Sequence, residues 1–300
     1  MKKICTYIDL LGFSNYINAD INDALLLIEN YTNTLQIGFN VGDEFKSFET
    51  FLPCSDSIFI IANPDSADDF IIDISKFLIN CFIFTADAYT NPIDEDKPTK
   101  VIINHIDFNI EKKEVETKPI ERNWYPTLFK GGVVCDDVET FHQSIIYNGI
   151  FEKQLNLAGK GIVSAVALEK SGRGPRLFCN NSIISKLSKD ISLKYVIGKN
   201  NISEILWPIQ IFTSVRSPQN EVSNGYEKLM SPAINLWKSY EKTPVGEIYF
   251  NLMKLITISA IRYSKMNDIV DDFDDNLKEF LEINNILHFY ESLIDYTSGI

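Results

Sequence analysis

Lys3-Ile4-Cys5-Thr6-Tyr7-Ile8-Asp9-Leu10-Leu11-Gly12-Phe13-Ser14, residues 3–14, decide the fold. Lys3 to Ile8 form a short apolar run rich in β-branched and aromatic residues, which predicts a strand. Asp9 ends that run, and Leu10 to Ser14 turn the chain. From Asp23 the apolar spacing becomes helical, through Leu25, Leu26, Ile28 and Leu35. Phe48–Leu52 and Ser57–Ala62 predict two strands around Pro53-Cys54-Ser55-Asp56, a hairpin whose loop is longer than two residues and whose type is open. Asn63-Pro64-Asp65-Ser66 opens a helix with Asp68 and Asp69 near its positive end. Phe70, Ile71, Ile74, Phe77, Leu78 and Phe82 mark its buried stripe.

Residues 91–123 have the character of an insertion: a Pro- and acid-rich start, a strand at 101–110 and a charged Glu111-Lys112-Lys113-Glu114 turn. Thr127–Cys135 predicts a strand carrying Lys130-Gly131-Gly132. Gly159-Lys160-Gly161 starts a short helix with Ile162, Ala165, Val166 and Glu169, and Pro175–Cys179 returns as a strand. Residues 193–197 and 206–213 predict a final pair. After about residue 216 two helical stretches follow, Gly246–Lys265 and Asn276–Tyr296, separated by an acidic run, Asp268–Asp275, expected as a solvated linker. The expected organisation is thus a region 1–215 and a helical region 216–300. Helices alternating with strands, one strand pair being a hairpin, predict an α+β sheet covered on one face, in preference to a doubly wound parallel sheet.

Of the 300 residues 45% are hydrophobic and 23% charged, which excludes a disordered chain. Twenty-eight basic against 41 acidic residues leave a net charge of −13, which argues against non-specific binding to nucleic acid or an anionic membrane. No stretch approaches the about 20 apolar residues of a membrane span. The N-terminus meets Asp9 before a signal-peptide core can form, so a cytoplasmic chain is expected. Cysteines 5, 54, 81, 135 and 179 are odd in number, widely spaced and without a Cys-x-x-Cys, a reduced pattern in which buried free thiols are expected, Cys54 among them. Histidines 105, 142 and 288 lie too far apart to support a His-rich zinc site.

The chemistry centres on Asp9 and Asp56. Asp9 stands where a buried strand opens into a loop, and Asp56 at the tip or exit of the hairpin. If the first strand pairs beside that hairpin, both carboxylates converge at one sheet end, a donor set suited to Mg²⁺ or Mn²⁺. The Leu10 carbonyl is a further candidate ligand, and Leu11-Gly12-Phe13-Ser14 a candidate N–H cradle for polyphosphate. Taken singly, either Asp serves more often as a turn former or helix cap.

Ile8-Asp9-Leu10-Leu11-Gly12-Phe13-Ser14 resembles the first metal-binding motif of the class III nucleotidyl cyclases, and Ser55-Asp56-Ser57-Ile58 their second. Lys130-Gly131-Gly132-Val133 resembles their later Arg-Gly-Gly strand, and Ala167-Leu168-Glu169 the end of their dimerisation helix. Tyr7–Phe13, Ser55–Ser57 and Pro175-Arg176 are most similar to bacterial pyrimidine cyclases of the Pycsar antiphage type. The resemblance covers roughly residues 1–215. It implies a nucleotidyl-cyclase-like sheet with a ferredoxin-like core, and a lyase that makes cyclic UMP or cyclic CMP from UTP or CTP as a second messenger in antiviral defence. It also implies two Mn²⁺ or Mg²⁺ ions on Asp9 and Asp56, in-line attack of the ribose 3′-hydroxyl on the α-phosphorus, and sites built across a head-to-tail homodimer.

Several positions depart from that family. Lys130 replaces a frequent Arg, keeping the charge but losing the planar fork. Val163 and Ala167 stand where purine cyclases carry an Asn and an Arg, and Lys160 and Leu52 where they carry base-reading groups. Adenine-type recognition is therefore disfavoured, and a catalytically degenerate homologue that binds nucleotide or a protein partner is the alternative. A diguanylate cyclase is disfavoured because Gly131-Gly132 continues as Val133-Val134. Lys160 is a candidate base or phosphate contact, although a solvated lysine is the commoner outcome. Arg176 is weighed equally as a phosphate contact and as a surface ion pair. Phe51 is expected in the core, and Gly131-Gly132 either admits a close backbone approach or marks a bulge.

Overall fold

The computed structural model describes all residues except 15–17, 19, 42–44, 87–88, 90–98, 110–113, 148–149, 200, 214–217 and 296–300. The start of the expected insertion and most of its charged turn therefore lie outside the described residues. Strand β1, Lys2–Leu10, runs two residues further than its apolar run, so Asp9 lies within the strand. Helix α1 is Ile21–Val41, and the hairpin strands are β2, Phe48–Cys54, and β3, Ser57–Ala62. Cys54 pairs with Ser57, so the turn is only the two residues Ser55 and Asp56, tighter than expected, with Ser55 taking the left-handed φ of 61°. Pro53, which has no N–H to give, is tolerated because β2 ends the sheet.

Helix α2 is Ala67–Ala86, and the whole expected stripe from Phe70 to Phe82 is buried. Among the described residues, strands β4, Thr99–Asn109, and β5, Glu114–Trp124, pair only with each other. Strand β6, Phe129–Asp137, is followed by a second separate hairpin, β7, Glu139–Tyr147, and β8, Ile150–Ala158. Helix α3, Lys160–Glu169, leads to β9, Leu177–Asn180, and two short helices, α4, Asn181–Ile184, and α5, Lys189–Tyr195. Strands β10, Val196–Lys199, and β11, Ile202–Ile205, form the final pair. The expected strand at 206–213 is instead a 3₁₀ segment, Trp207–Thr213, in which Pro208 removes a ladder donor.

One seven-stranded mixed sheet results, in the order β10-β11-β9-β6-β1-β3-β2, with β6 and β9 parallel and every other neighbour antiparallel. The period-two alternation of β1 divides its residues between two cores. Ile4, Ile8 and Leu10 face a large one shared with α1, α2 and the C-terminal helices. Cys5 and Tyr7 face a smaller one, where Ala165 and Leu168 bring in α3. The sheet is thus packed on both faces, where one was expected, because α3 carries its own apolar stripe.

The C-terminal helices are α6, Pro218–Tyr240, α7, Gly246–Met266, α8, Val270–Ile283, and α9, Tyr290–Ile294. The acidic 268–275 run is not a linker: most of it forms the first two turns of α8. Phe273 anchors that run in the core, and Asp274 accepts from Lys278 at 2.6 Å one turn on. The helix expected to reach 296 breaks at Asn284 and Asn285, the latter at a φ of 58°. No described helix is long and apolar enough to cross a membrane.

Candidate active site at the end of the sheet

Strand register brings the two acids together. Asp9 lies opposite Ser57 on one side and Lys130 on the other. Asp56 immediately precedes Ser57, and its carbonyl accepts the Leu10 N–H at 2.9 Å, which ties the end of β1 to the hairpin turn. Burial first, and then the Asp56 charge, push the Asp9 carboxyl up to about 6, with Glu169 adding to the repulsion and Lys130 opposing it. The Asp56 charge thus reaches Asp9, and the strand register sets the two backbones side by side at this end of the sheet.

The surroundings of Asp9 lie on the α3 face, whereas Asp56 also bears on Tyr31 of the large core. Lys130 Nζ lies 3.8 Å from Asp9 Oδ2 and forms a closer ion pair with Glu169 Oε1. Glu169 is almost wholly buried, whereas the Asp9 side chain is 24% exposed. The Tyr7 hydroxyl donates to Asp9 Oδ1 at 3.5 Å, and its ring packs on Phe59 with centroids 5.0 Å apart. Burial raises the Tyr7 hydroxyl pKa, and the charges of Asp9, Glu169 and Asp56 raise it further, against a hydrogen bond with Ser57. Tyr7 therefore stands as a neutral donor.

Glycine makes this crowding possible. A Cβ on Gly132 would meet the Ala165 carbonyl oxygen at 2.2 Å and Leu168 Cβ at 2.7 Å, so only glycine lets the end of α3 lie directly on β6. Of the two readings of the diglycine, close approach is the one realised, and the approaching element is this chain's own helix. Glu169 was not among the expected site residues. Gly161, Ala165 and Leu168 set the buried stripe of α3, and Glu169, four residues after Ala165, falls on it. A carboxylate on a buried helical stripe was the available signal.

The remaining expected residues are placed as follows. Leu11 donates its N–H to the Leu128 carbonyl at 2.8 Å, so that donor is spent and the expected cradle shortens to begin at Gly12, whose φ is 81°. The Phe13 side chain is buried in the large core. Lys160 is exposed at the first turn of α3, the opposite end of that helix from Glu169, a helix length of roughly 15 Å. Arg176 is drawn elsewhere, into a bidentate pair with fully buried Glu204, with Nε 2.9 Å from Oε2 and the guanidinium 4.9 Å from the Phe178 ring centre. The structure therefore groups Asp9, Leu10, Asp56 and Lys130, and does not bring Lys160 or Arg176 to them. Phe51 packs edge-on against Phe77, as expected of a core aromatic. Cys54 is exposed where burial was expected, because it ends the edge strand; the other four cysteines are buried, and all five are free.

The donor set fits a divalent cation that arrives with nucleotide. Two repelling carboxylates at a partly open sheet end gain from an added positive charge. Among the described residues no group of three or more His, Cys, Asp or Glu could hold a metal. An ion here would complete its shell with phosphate oxygens and water, the common habit of Mg²⁺.

No protein-family model matches the chain, and no curated protein matches it. Among solved structures it is similar to a bacterial light-regulated adenylyl cyclase, at 10% identity and a TM-score of 0.40, over 68% of this chain and 51% of that one. The chain thus spans about half the length of that protein. It is also similar to the adenylyl cyclase CyaB from P. aeruginosa, at 11% identity and a TM-score of 0.39, over 68% of this chain and 93% of that one. A third similarity is to the guanylate cyclase domain of RhGC from Catenaria anguillulae in complex with GTP, at 11% identity and a TM-score of 0.35, again over 68% and 93%. Superposition this loose transfers no residue role, so the local geometry at Asp9 and Asp56 is what bears on function.

Proposed function

We propose that this protein is a divalent-metal-dependent nucleotidyl cyclase acting on a pyrimidine nucleoside triphosphate. The observation that supports the reading is the strand register, which sets Asp9 next to the Asp56 turn at one end of the mixed sheet with Lys130 beside Asp9. Asp9 and Asp56, with the Leu10 carbonyl, would hold Mg²⁺ or Mn²⁺. The bound metal supplies acidity to the ribose 3′-hydroxyl and neutralises the triphosphate. Lys130 faces the same space and offers its ammonium to a phosphate oxygen. Gly12 and Phe13 lie at the turn that follows β1, within reach of the same end of the sheet. Their N–H groups extend the electropositive wall on which the leaving pyrophosphate settles.

The preference for UTP or CTP rests on the sequence resemblance, as do the homodimer and a role in phage defence. Val163 and Ala167 lack the polar groups that purine cyclases carry there, and Val163 is 71% exposed on α3. The same two positions favour, as a second reading, a homologue that binds nucleotide without turning it over.

Purified protein supplied with Mn²⁺ and each of the four common nucleoside triphosphates tests both readings. The expected result is pyrophosphate and a 3′,5′-cyclic product from UTP or CTP, absent from Asp9→Asn. Metal-dependent triphosphate binding without product selects the second reading. Neither binding nor product overturns both.

A further inference from the structure

We propose that Glu169 is a positioning residue that holds the Lys130 ammonium away from Asp9, and thereby sets how readily a divalent cation enters between Asp9 and Asp56. This rests on the metal–nucleotide site proposed above and adds to it a residue that touches neither metal nor substrate.

Lys130 stands between two carboxylates and divides its charge unequally. Its Nζ is ion-paired with Glu169 and remains 3.8 Å from Asp9 Oδ2. Glu169 is 6% exposed at the side chain against 24% for Asp9, so its attraction is less screened by water. Glu169 is also the better fixed of the two partners. It ends α3 where Gly132 lets the Ala165–Leu168 backbone rest on β6, whereas Lys130 swings on a flexible four-carbon stem. Glu169 therefore dictates where the ammonium sits.

An ammonium fully paired with Asp9 would neutralise a metal ligand and repel an incoming cation. Held by Glu169, it leaves Asp9 to the metal and stays near enough to meet phosphate. The two members of this ion pair consequently have opposite effects on metal binding. Losing Glu169 frees Lys130 to settle on Asp9 and weakens binding. Losing Lys130 removes the competitor and strengthens it. A pair that merely held the fold together would shift binding in the same direction from either side, or leave it unchanged.

The test is a Mn²⁺ titration of the full chain without nucleotide, in which free Mn²⁺ is followed by electron paramagnetic resonance. Glu169→Gln, nearly the same shape without the charge, is expected to raise the dissociation constant about tenfold, a change of about 1.4 kcal/mol. Because Lys130→Met alone strands a buried carboxylate, the double variant Lys130→Met/Glu169→Gln supplies the opposite arm in a neutral setting. It is expected to bind Mn²⁺ at least as tightly as the parent. Glu169→Gln binding as tightly as the parent, or the double variant binding as weakly as Glu169→Gln, overturns the proposal while leaving the metal site intact. A parent that binds no Mn²⁺ without nucleotide overturns this proposal, while the metal–nucleotide site itself stands or falls by the turnover assay above.

Discussion

Two charged clusters lie on the α3 face of the same sheet and are built on opposite principles. At Arg176 and Glu204 the charges match one to one, both groups are buried, and the guanidinium is further covered by the Phe178 ring. At Lys130 two carboxylates, Asp9 and Glu169, share one ammonium, the Asp56 charge also bears on Asp9, and Asp9 is left partly open with its pKa raised. The first cluster is complete without a ligand. The second carries surplus negative charge, which costs the fold stability and suits the cation proposed above. The contrast separates a charge pair closed on itself from a charge cluster left unbalanced, the arrangement on which the proposed chemistry rests.

The largest effect that would sharpen this contrast is on turnover. Asp9→Asn and Asp56→Asn are each expected to lower cyclic-nucleotide formation by at least about a hundredfold, measured by product chromatography. Folding should persist in both, because each residue is at the rim of the sheet. The contrast breaks if either variant works at the parent rate.

Next comes stability at the closed cluster. Arg176→Met leaves Glu204 buried and unpaired, and is expected to cost about 3–5 kcal/mol in urea denaturation. A loss below about 1 kcal/mol would show that this pair is not the sealed structural element described here.

The third effect has the opposite sign and depends on pH. The Asp9 pKa is raised from 3.8 to about 6, so the folded state holds this proton more tightly than the unfolded one. The stability it contributes is fully present below 3.8 and is lost as pH rises through about 6. In metal-free buffer Asp9→Asn is therefore expected to melt higher than the parent at pH 7.5, with the gap closing toward pH 4. Calorimetric scans across that range check it, and an Asp9→Asn protein that melts lower at pH 7.5 would contradict it. The smallest effect belongs to Tyr7→Phe, which keeps the ring on Phe59 and removes one long hydrogen bond to Asp9. Its cost is expected to stay below about 1 kcal/mol by the same calorimetry.

How much of this was legible follows from the range of the interactions. The first strand, the hairpin and the α2 stripe are local patterns, and the structure realises all three. Pairing of β1 with β3 then brings Asp9 to Asp56, a consequence the sequence allowed but did not compel. The rest needed partners far along the chain. Arg176 is committed to Glu204, 28 residues away, and no local signal chose burial over phosphate contact. The 268–275 run reads as a solvated linker by charge alone, yet Phe273 within it finds the core and turns it into helix. Glu169 was readable in part, from its place on the buried stripe of α3, but its partner Lys130 was not. That pairing depends on Gly132 admitting the helix.

Anomalous diffraction from a crystal of this protein grown with Mn²⁺ and a non-cyclisable pyrimidine triphosphate analogue tests the central claim most directly. The account predicts a manganese peak within coordination distance of both the Asp9 and the Asp56 carboxylates. A peak touching only one of them, or none at that end of the sheet, would contradict it.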